Sequence, residues 1–361
     1  MAPLVDLVIA VHDARRPIAR AVRSALAAGR GLAGDGLRVT VVCHNLGADA
    51  VAERLGPELA GDAAVRLLEL ADGIRSPAGP FNFGLDAADA RFVSIMGSDD
   101  ELEPGALAAW AHFADRRGLD VVIPVERHAG GGLIRTPPVR LRRAAPLDPV
   151  RDRLAYRTAP LGLLSTALVR RLGVRMAAGV ATGEDQDFSA RLWFSGAAIG
   201  YARGLPAYLV GADAAERTTL AHRSVHDEFA ASVALVDQPW FRALDLAHRR
   251  AIAVKLVRIH VFSFIARRVT AGDWAPGERG ELASVIDWLE VAAPGFTGAL
   301  SRADAAVLDA LGEASVTPER FAALAAARRR FGAPATLVTR RLGALLAPDA
   351  PLRFMVASAL L

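Results

Sequence analysis

Residues 91–107 read RFVSIMGSDDELEPGAL, and this stretch decides the fold class. Arg91 to Met96 is a short apolar run with the composition of a buried strand. Gly97-Ser98-Asp99-Asp100 breaks it, and Pro104 opens a helix that runs to Arg117. The same alternation continues on both sides. Upstream lie apolar strands at Leu4–Val11, Arg38–His44 and Val65–Leu70, separated by helical patterns at Pro17–Ala28, Ala48–Leu59 and Pro80–Ala88. Downstream, Asp120–Val125 supplies a fifth strand. Strands alternating with helices at this spacing predict βαβ units and a mostly parallel sheet. In such a sheet ligands bind beyond the carboxyl ends of the strands. Asp99 and Asp100 therefore fall at the ligand edge. Two neighbouring carboxylates repel one another unless a cation joins them, and Mg²⁺ or Mn²⁺ takes carboxylate and phosphate oxygens together. A solvated acidic turn leading into the helix at Pro104 is the alternative.

The alternation fades from about Glu126 to Pro160, where His128 to Gly132 reads as a hairpin tip and four prolines punctuate a loop. Helical pattern returns at Ser165–Leu172 and Glu184–Phe194, and beyond about His222 the chain is almost wholly helical. The expected division is an α/β domain at 1–221 and an all-α domain at 222–361.

With 361 residues, 52% of them hydrophobic, the chain is long enough for well-buried cores. Its 43 basic and 39 acidic residues leave a net charge of +4, and Lys255 is the only lysine. That single lysine, in Val254-Lys255-Leu256, excludes a G-x-x-x-x-G-K-[ST] phosphate loop. Gly29-Arg30-Gly31-Leu32-Ala33-Gly34 matches the dinucleotide fingerprint in letters but not in context. A helix precedes it and a strand follows, so no helix N-terminus would meet a pyrophosphate. Cys43 alone cannot form an internal disulfide. No signal peptide opens the sequence. The longest uncharged apolar run near the middle, residues 158–169, falls short of the roughly 20 residues a bilayer requires. A cytoplasmic protein, at most attached to the inner face of the membrane, is expected, with no nucleic-acid partner.

Four elements in order resemble the inverting glycosyltransferases of family 2, which have the GT-A fold: a Rossmann-like, mostly parallel sheet. The first strand ends at Ala10-Val11-His12-Asp13, where that family has Pro-Val-Tyr-Asn. Pro80-Phe81-Asn82-Phe83-Gly84 corresponds to its Ala-Arg-Asn-x-Gly helix. Met96 to Asp100, followed by Pro104, corresponds to its Asp-x-Asp stretch. Glu184-Asp185, with Arg191 beyond, corresponds to its downstream acidic pair.

The resemblance implies transfer of a sugar from a nucleotide-diphosphate donor, a UDP-sugar foremost, to a saccharide or lipid-linked hydroxyl acceptor in surface polysaccharide or glycoconjugate synthesis. It implies Asp185 as the base with Glu184 beside it. Ala10, His12, Asp13, His44, Asn82, Ser98 and Asp99 would bind the donor, and Asp99, Asp100 and His222 a divalent cation (Mn²⁺ or Mg²⁺). A base at a helix N-terminus gains from the dipole, although Thr182-x-x-Asp185 also reads as a capping box. His222 reads equally as a surface histidine.

There are departures from the pattern. Gly97 stands at the first Asp of the signature, Phe81 replaces an Arg, and the second strand ends in Cys43-His44-Asn45-Leu46 rather than Asp-Asp-Gly-Ser. A catalytically silent binding or scaffolding subunit is the alternative these departures would suit. In the helical part, residues 248–268 combine an apolar face (Ile252, Leu256, Ile259, Phe262) with basic ends. The face fits the core of a helical bundle, a peripheral membrane contact or a homo-oligomer interface.

Overall fold

Strand β1 (Val5–Val11) is buried at every residue but Ala10, and neighbours pair with both its edges. It pairs in parallel with β2 (Leu37–His44) on one side and β4 (Phe92–Gly97) on the other. These strands belong to a computed structural model that describes residues 2–134, 140, 143–211 and 222–359. The described residues form two compact units, one within 1–136, 142–147 and 158–221, the other within 137–141, 148–157 and 222–361. The segment at 148–157 packs with the helices, although its position in the chain put it with the α/β domain.

In the first unit the order along the chain begins β1, α1 (Ile18–Ala28), β2, α2 (Ala48–Ala60), β3 (Val65–Leu70), α3 (Ala78–Ala87) and β4. It continues with β5 (Glu101–Leu102), α4 (Ala106–Arg117), β6 (Val121–Ile123), β7 (Glu126–His128), β8 (Leu163–Ser165) and α5 (Thr166–Leu172). It ends with α6 (Gln186–Trp193), β9 (Ile199–Tyr201) and β10 (Tyr208–Val210). The large sheet has the order β3-β2-β1-β4-β8-β6-β9. Only β8 runs against the rest, antiparallel to both β4 and β6, while β9 returns parallel to β6. A small sheet of order β5-β10-β7 stands apart from it.

Helix α1 buries Ile18, Ala21, Val22, Ala25 and Ala28, one stripe at helical spacing. Helix α3 packs closer still. A Cβ on Gly84 would lie 2.2 Å from Val8 Cγ1, so glycine lets the helix backbone rest on β1. The one acid inside β1, Asp6, is fully buried and paired. Its Oδ2 accepts from Arg38 Nε and Nη2 at 2.8 and 2.7 Å, and its Oδ1 from Thr40 at 2.7 Å. A buried carboxylate persists only with such partners.

The second unit contains α7 (Val225–Asp237), α8 (Pro239–Ala243), α9 (Leu246–Lys255), α10 (Phe262–Ala271), α11 (Glu278–Ala292), α12 (Arg302–Leu311), α13 (Pro318–Ala327), α14 (Pro334–Leu337) and α15 (Pro351–Ala359). Of the apolar face expected at 248–268, Ile252, Leu256 and Phe262 are buried and only Ile259 is exposed. This is a core helix. The π-turn at Leu256–Val261 breaks its register, and Lys255 Nζ meets His260 Nε2 at 2.9 Å across it. Trp274 packs edge-on between Phe264 and Phe321. Buried Arg268 holds buried Glu278 through two hydrogen bonds of 2.9 and 2.7 Å. Asp349, 7% exposed, faces Arg258 and Arg153, yet burial pushes its carboxyl up to about 6. Among the described residues no helix is long and apolar enough to cross a membrane.

Candidate active site

Parallel strands bring the residues that follow β1, β2, β3 and β4 to one edge of the sheet. At the β1–β4 seam Ala10 lies opposite Gly97, so two small residues make a low floor. Ser98, buried, and the acidic turn follow directly.

The two carboxylates of that turn have opposite surroundings. Asp100 is enclosed. Tyr208 donates its O–H to Oδ2 at 2.6 Å, and the Gly211 backbone N–H reaches Oδ1 at 2.8 Å. Burial raises the Asp100 carboxyl above the ordinary range against the pull of those donors, and burial together with Asp100's charge raises the Tyr208 phenol well above its usual value. The small sheet creates this cradle, since β10 pairs with β5 and so lays Tyr208 beside the turn. Gly97 is part of it: a Cβ there would sit 2.7 Å from Asp100 Oδ2 and 3.1 Å from Asp99 Oδ1. The glycine that departs from the family signature is thus the residue this packing allows.

Asp99 turns the other way. Its Oδ2 is 2.7 Å from Arg16 Nη1, and its backbone oxygen accepts from Arg20 Nη2 at 2.9 Å. Arg20 Nε also pairs with Glu101 Oε1 at 3.1 Å. The two arginines come from the end of the β1–α1 loop and the first turn of α1. His12, exposed in that loop, has its pKa lowered by partial burial and then by the Arg16 charge, while the nearby carboxylates Asp13 and Asp99 pull the other way. Asp13 is held by Arg15, whose Nε and Nη2 donate to Oδ2 at 3.0 and 2.7 Å, and this pairing keeps its carboxyl well below the usual range.

At the ends of β2 and β3 stands a pair that sequence reading missed. Buried His44 places Nε2 2.8 Å from Asp72 Oδ1, with Asn45 Nδ2 bridging to both. The Ile74 N–H and then the His44 contact lower the Asp72 pKa. Asp72 follows β3 by two residues, and that position at the carboxyl edge was the available signal. Cys43 beside them is a buried strand residue whose thiol burial pushes up to about 11.

Asn82, in the second turn of α3, spends its amide on backbone. Its Oδ1 accepts from Met176 N–H at 2.9 Å and its Nδ2 donates to Met176 O at 3.0 Å. One residue on, Ala177 N–H donates to Glu184 O at 2.7 Å. Two hydrogen-bonded steps therefore tie Glu184-Asp185 to α3. Helix α6 leads into β9, a strand parallel to β6. Asp185 is the N-cap residue of α6, so the helix begins at Asp185 and not at Thr182, where a capping box would start it. Asp187 and Arg191 sit 3.9 Å apart on the helix.

His222 belongs to the helical unit. Its Nδ1 lies 3.0 Å from both Asp273 Oδ2 and Arg268 Nη1. Among the described residues no three His, Cys, Asp or Glu side chains converge as a metal cluster. The donor set nevertheless meets the small demand of Mg²⁺ or Mn²⁺, which a site supplies with one or two carboxylates plus phosphate oxygens and water. Asp99 is the residue that can serve. Asp100, expected as a second ligand, has both oxygens committed.

Over 91% of its length the chain superposes on 92% of TarS 1–349 from S. aureus, in a crystal structure with UDP-GlcNAc, at a TM-score of 0.72 and 17% identity. The fold is that of TarS. The same TarS segment in complex with UDP gives a TM-score of 0.65 at 16% identity over 91% of each chain. The GT-A expectation for the α/β part is met by this TarS-like fold. In sequence the chain is 34% identical over 125 residues to the succinoglycan biosynthesis protein ExoO of Rhizobium meliloti (strain 1021). That stretch is 34% of this chain, and the chain spans about a third (32%) of ExoO. No protein-family model matches the chain.

Proposed function

We propose that this protein is a glycosyltransferase that moves a sugar, with inversion, from a nucleotide-diphosphate donor to a hydroxyl of a saccharide or lipid-linked acceptor in bacterial polysaccharide synthesis. The observation that supports this reading most is the acidic turn after β4 in a TarS-like fold, where Asp99 follows the carboxyl end of a parallel strand with the Arg16 guanidinium beside it. A UDP-sugar is the favoured donor because TarS is found with UDP-GlcNAc and with UDP. The matched stretch of ExoO supports a place in polysaccharide synthesis.

An inverting transfer is one displacement. The acceptor oxygen attacks the anomeric carbon from the face opposite the diphosphate, and a base takes its proton as the bond forms. Asp185 serves as that base, with Glu184 beside it. Asn82 positions it by holding Met176, and His44, which the resemblance assigns to donor binding, with its partner Asp72 would meet the nucleoside part of the donor. The floor at Ala10 and Gly97 admits the donor. A divalent cation, when bound at Asp99, would supply charge to stabilise the departing diphosphate.

The reading is tested by incubating the purified protein with a panel of nucleotide sugars, with and without Mn²⁺, and measuring nucleotide release and binding. Release from at least one UDP-sugar, lost in Asp185→Asn, is expected. Absence of both binding and release across the panel would sink it.

A further inference from the structure

The carboxylate best placed for a cation already has one. Arg16 Nη1 lies 2.7 Å from Asp99 Oδ2, with the two side chains only 22% and 19% exposed. Arg20 reinforces the arrangement from α1, donating to the Asp99 backbone oxygen at 2.9 Å and pairing with Glu101 at 3.1 Å. Asp99 and Arg16 thus neutralise one another at the edge where β1 and β4 end.

A guanidinium has five N–H donors in a planar fork that matches phosphate oxygens two at a time. A diphosphate arriving at the β1–β4 seam would compete with Asp99 for this group. We propose that Arg16 is a diphosphate-binding residue that Asp99 holds in check until the donor arrives. The carboxylate keeps the guanidinium oriented and its charge compensated in the free protein, and Arg16 turns its fork to the diphosphate when Asp99 is engaged elsewhere. This inference rests on the nucleotide-sugar reading above. It adds two linked consequences: without divalent cation, neutralising Asp99 should strengthen diphosphate binding, and removing the Arg16 guanidinium should weaken it.

The experiment is calorimetric titration of UDP, with uridine as the phosphate-free probe. Wild type, Asp99→Asn, Arg16→Gln and Arg16→Lys are each measured in EDTA and in Mn²⁺. In EDTA, Asp99→Asn should bind UDP about tenfold more tightly than wild type, the size of one charge-assisted hydrogen bond released from competition. Arg16→Gln should bind UDP about tenfold more weakly in both buffers, with Arg16→Lys between, because lysine keeps the charge and loses the fork. Uridine affinity should be unchanged throughout. Asp99→Asn no tighter than wild type in EDTA, or Arg16→Gln within twofold of wild type, overturns the proposal while UDP binding itself leaves the functional reading standing. Thermal melts matching wild type exclude misfolding, and Asp99→Asn, a near-isosteric change, keeps the test decisive should Arg16→Gln fold poorly. If UDP, GDP, CDP and ADP all fail to bind any of the proteins, the functional reading falls and this proposal with it.

Discussion

Replacing Asn82 separates two roles that its place in a family motif leaves entangled: touching the donor, or holding the loop that carries the base. Its amide makes two hydrogen bonds to the backbone of Met176, a residue 3% exposed, at 2.9 and 3.0 Å. Asn82→Ala removes both and leaves a buried N–H and a buried C=O unpaired. Each lost bond is worth about 1 kcal/mol and each orphaned group costs a further about 1–3 kcal/mol. The loop escapes part of that penalty by opening to water, so its local stability should fall by about 2–4 kcal/mol. Asn82→Asp retains an acceptor for the Met176 N–H but turns an oxygen toward the Met176 carbonyl, and should lose about half as much. Hydrogen exchange of a peptide spanning 174–184 measures this directly, since Ala177 N–H closes the same loop on Glu184 O. Turnover should fall at least about tenfold, because displacing a base by an ångström costs up to about a hundredfold. UDP affinity should stay within about threefold of wild type, as no phosphate or base contact is removed. The opposite pattern, UDP affinity down tenfold with exchange at 174–184 unchanged, would refute the clamp and return Asn82 to the donor site.

Asp185→Asn should lower transfer by about 10²–10⁴, the usual share of a general base, with UDP affinity preserved; a loss of only a few-fold removes Asp185 from that role. Gly97→Ala should destabilise by about 1–3 kcal/mol in calorimetry, because its Cβ would stand 2.7 Å from Asp100 Oδ2 and push that carboxylate off Tyr208. Gly97→Asp should do the same, so restoring the family's acid would not improve activity. Combined with Tyr208→Phe, the Gly97→Ala effect should be less than additive, since both break the same contact; strict additivity would place the strain elsewhere. Asp349 keeps its proton in the fold to about pH 6 and releases it near 3.8 when unfolded, so its contribution is full below the lower value and is lost as pH rises through the upper one. Wild type should therefore lose up to about 3 kcal/mol from this group between pH 4 and pH 7. Asp349→Asn should flatten that part of the Tm-against-pH curve, and an unchanged slope assigns it to other groups.

The four long strands and the helices between them were legible because each apolar run is long enough to reveal its period; the fifth, three residues long, lies inside a mostly apolar run of six at Asp120–Val125. All five expected strands begin within one residue of the expected position: Val5, Leu37, Val65, Phe92 and Val121. The small sheet was not legible. Its strands are two and three residues long, too short for alternation to register, and they come from three distant parts of the chain. The same brevity hid β8 and β9, including the one reversal of direction in the main sheet. Of the candidate site, the acidic turn at Asp99 and Asp100 and the helix start at Asp185 could be picked out because turns after buried strands and helix N-termini leave local marks. Arg16 against Asp99, Tyr208 against Asp100 and Asn82 against Met176 could not, because each contact joins residues from separate elements. Pairing between distant elements is decided by packing, which a local window does not contain.

This difference changes the meaning of the acidic turn. Adjacent carboxylates suggest a shared cation when only their repulsion is considered. The fold removes most of that repulsion by treating them unequally. Asp100 is withdrawn into an O–H and N–H cradle that burial would make costly to leave, and Asp99 is matched by a guanidinium at its own edge. One acid has become structure, and Gly97 is the void that lets it do so. The other keeps its charge where an anionic ligand would have to negotiate with Arg16. A site organised this way does not need the first acid of the signature, since the oxygen that acid would bring has no room beside Asp100. On the functional reading proposed above, the departure at Gly97 fits a rearranged donor edge, in which Asp99 and Arg16 divide the work, better than a decayed one.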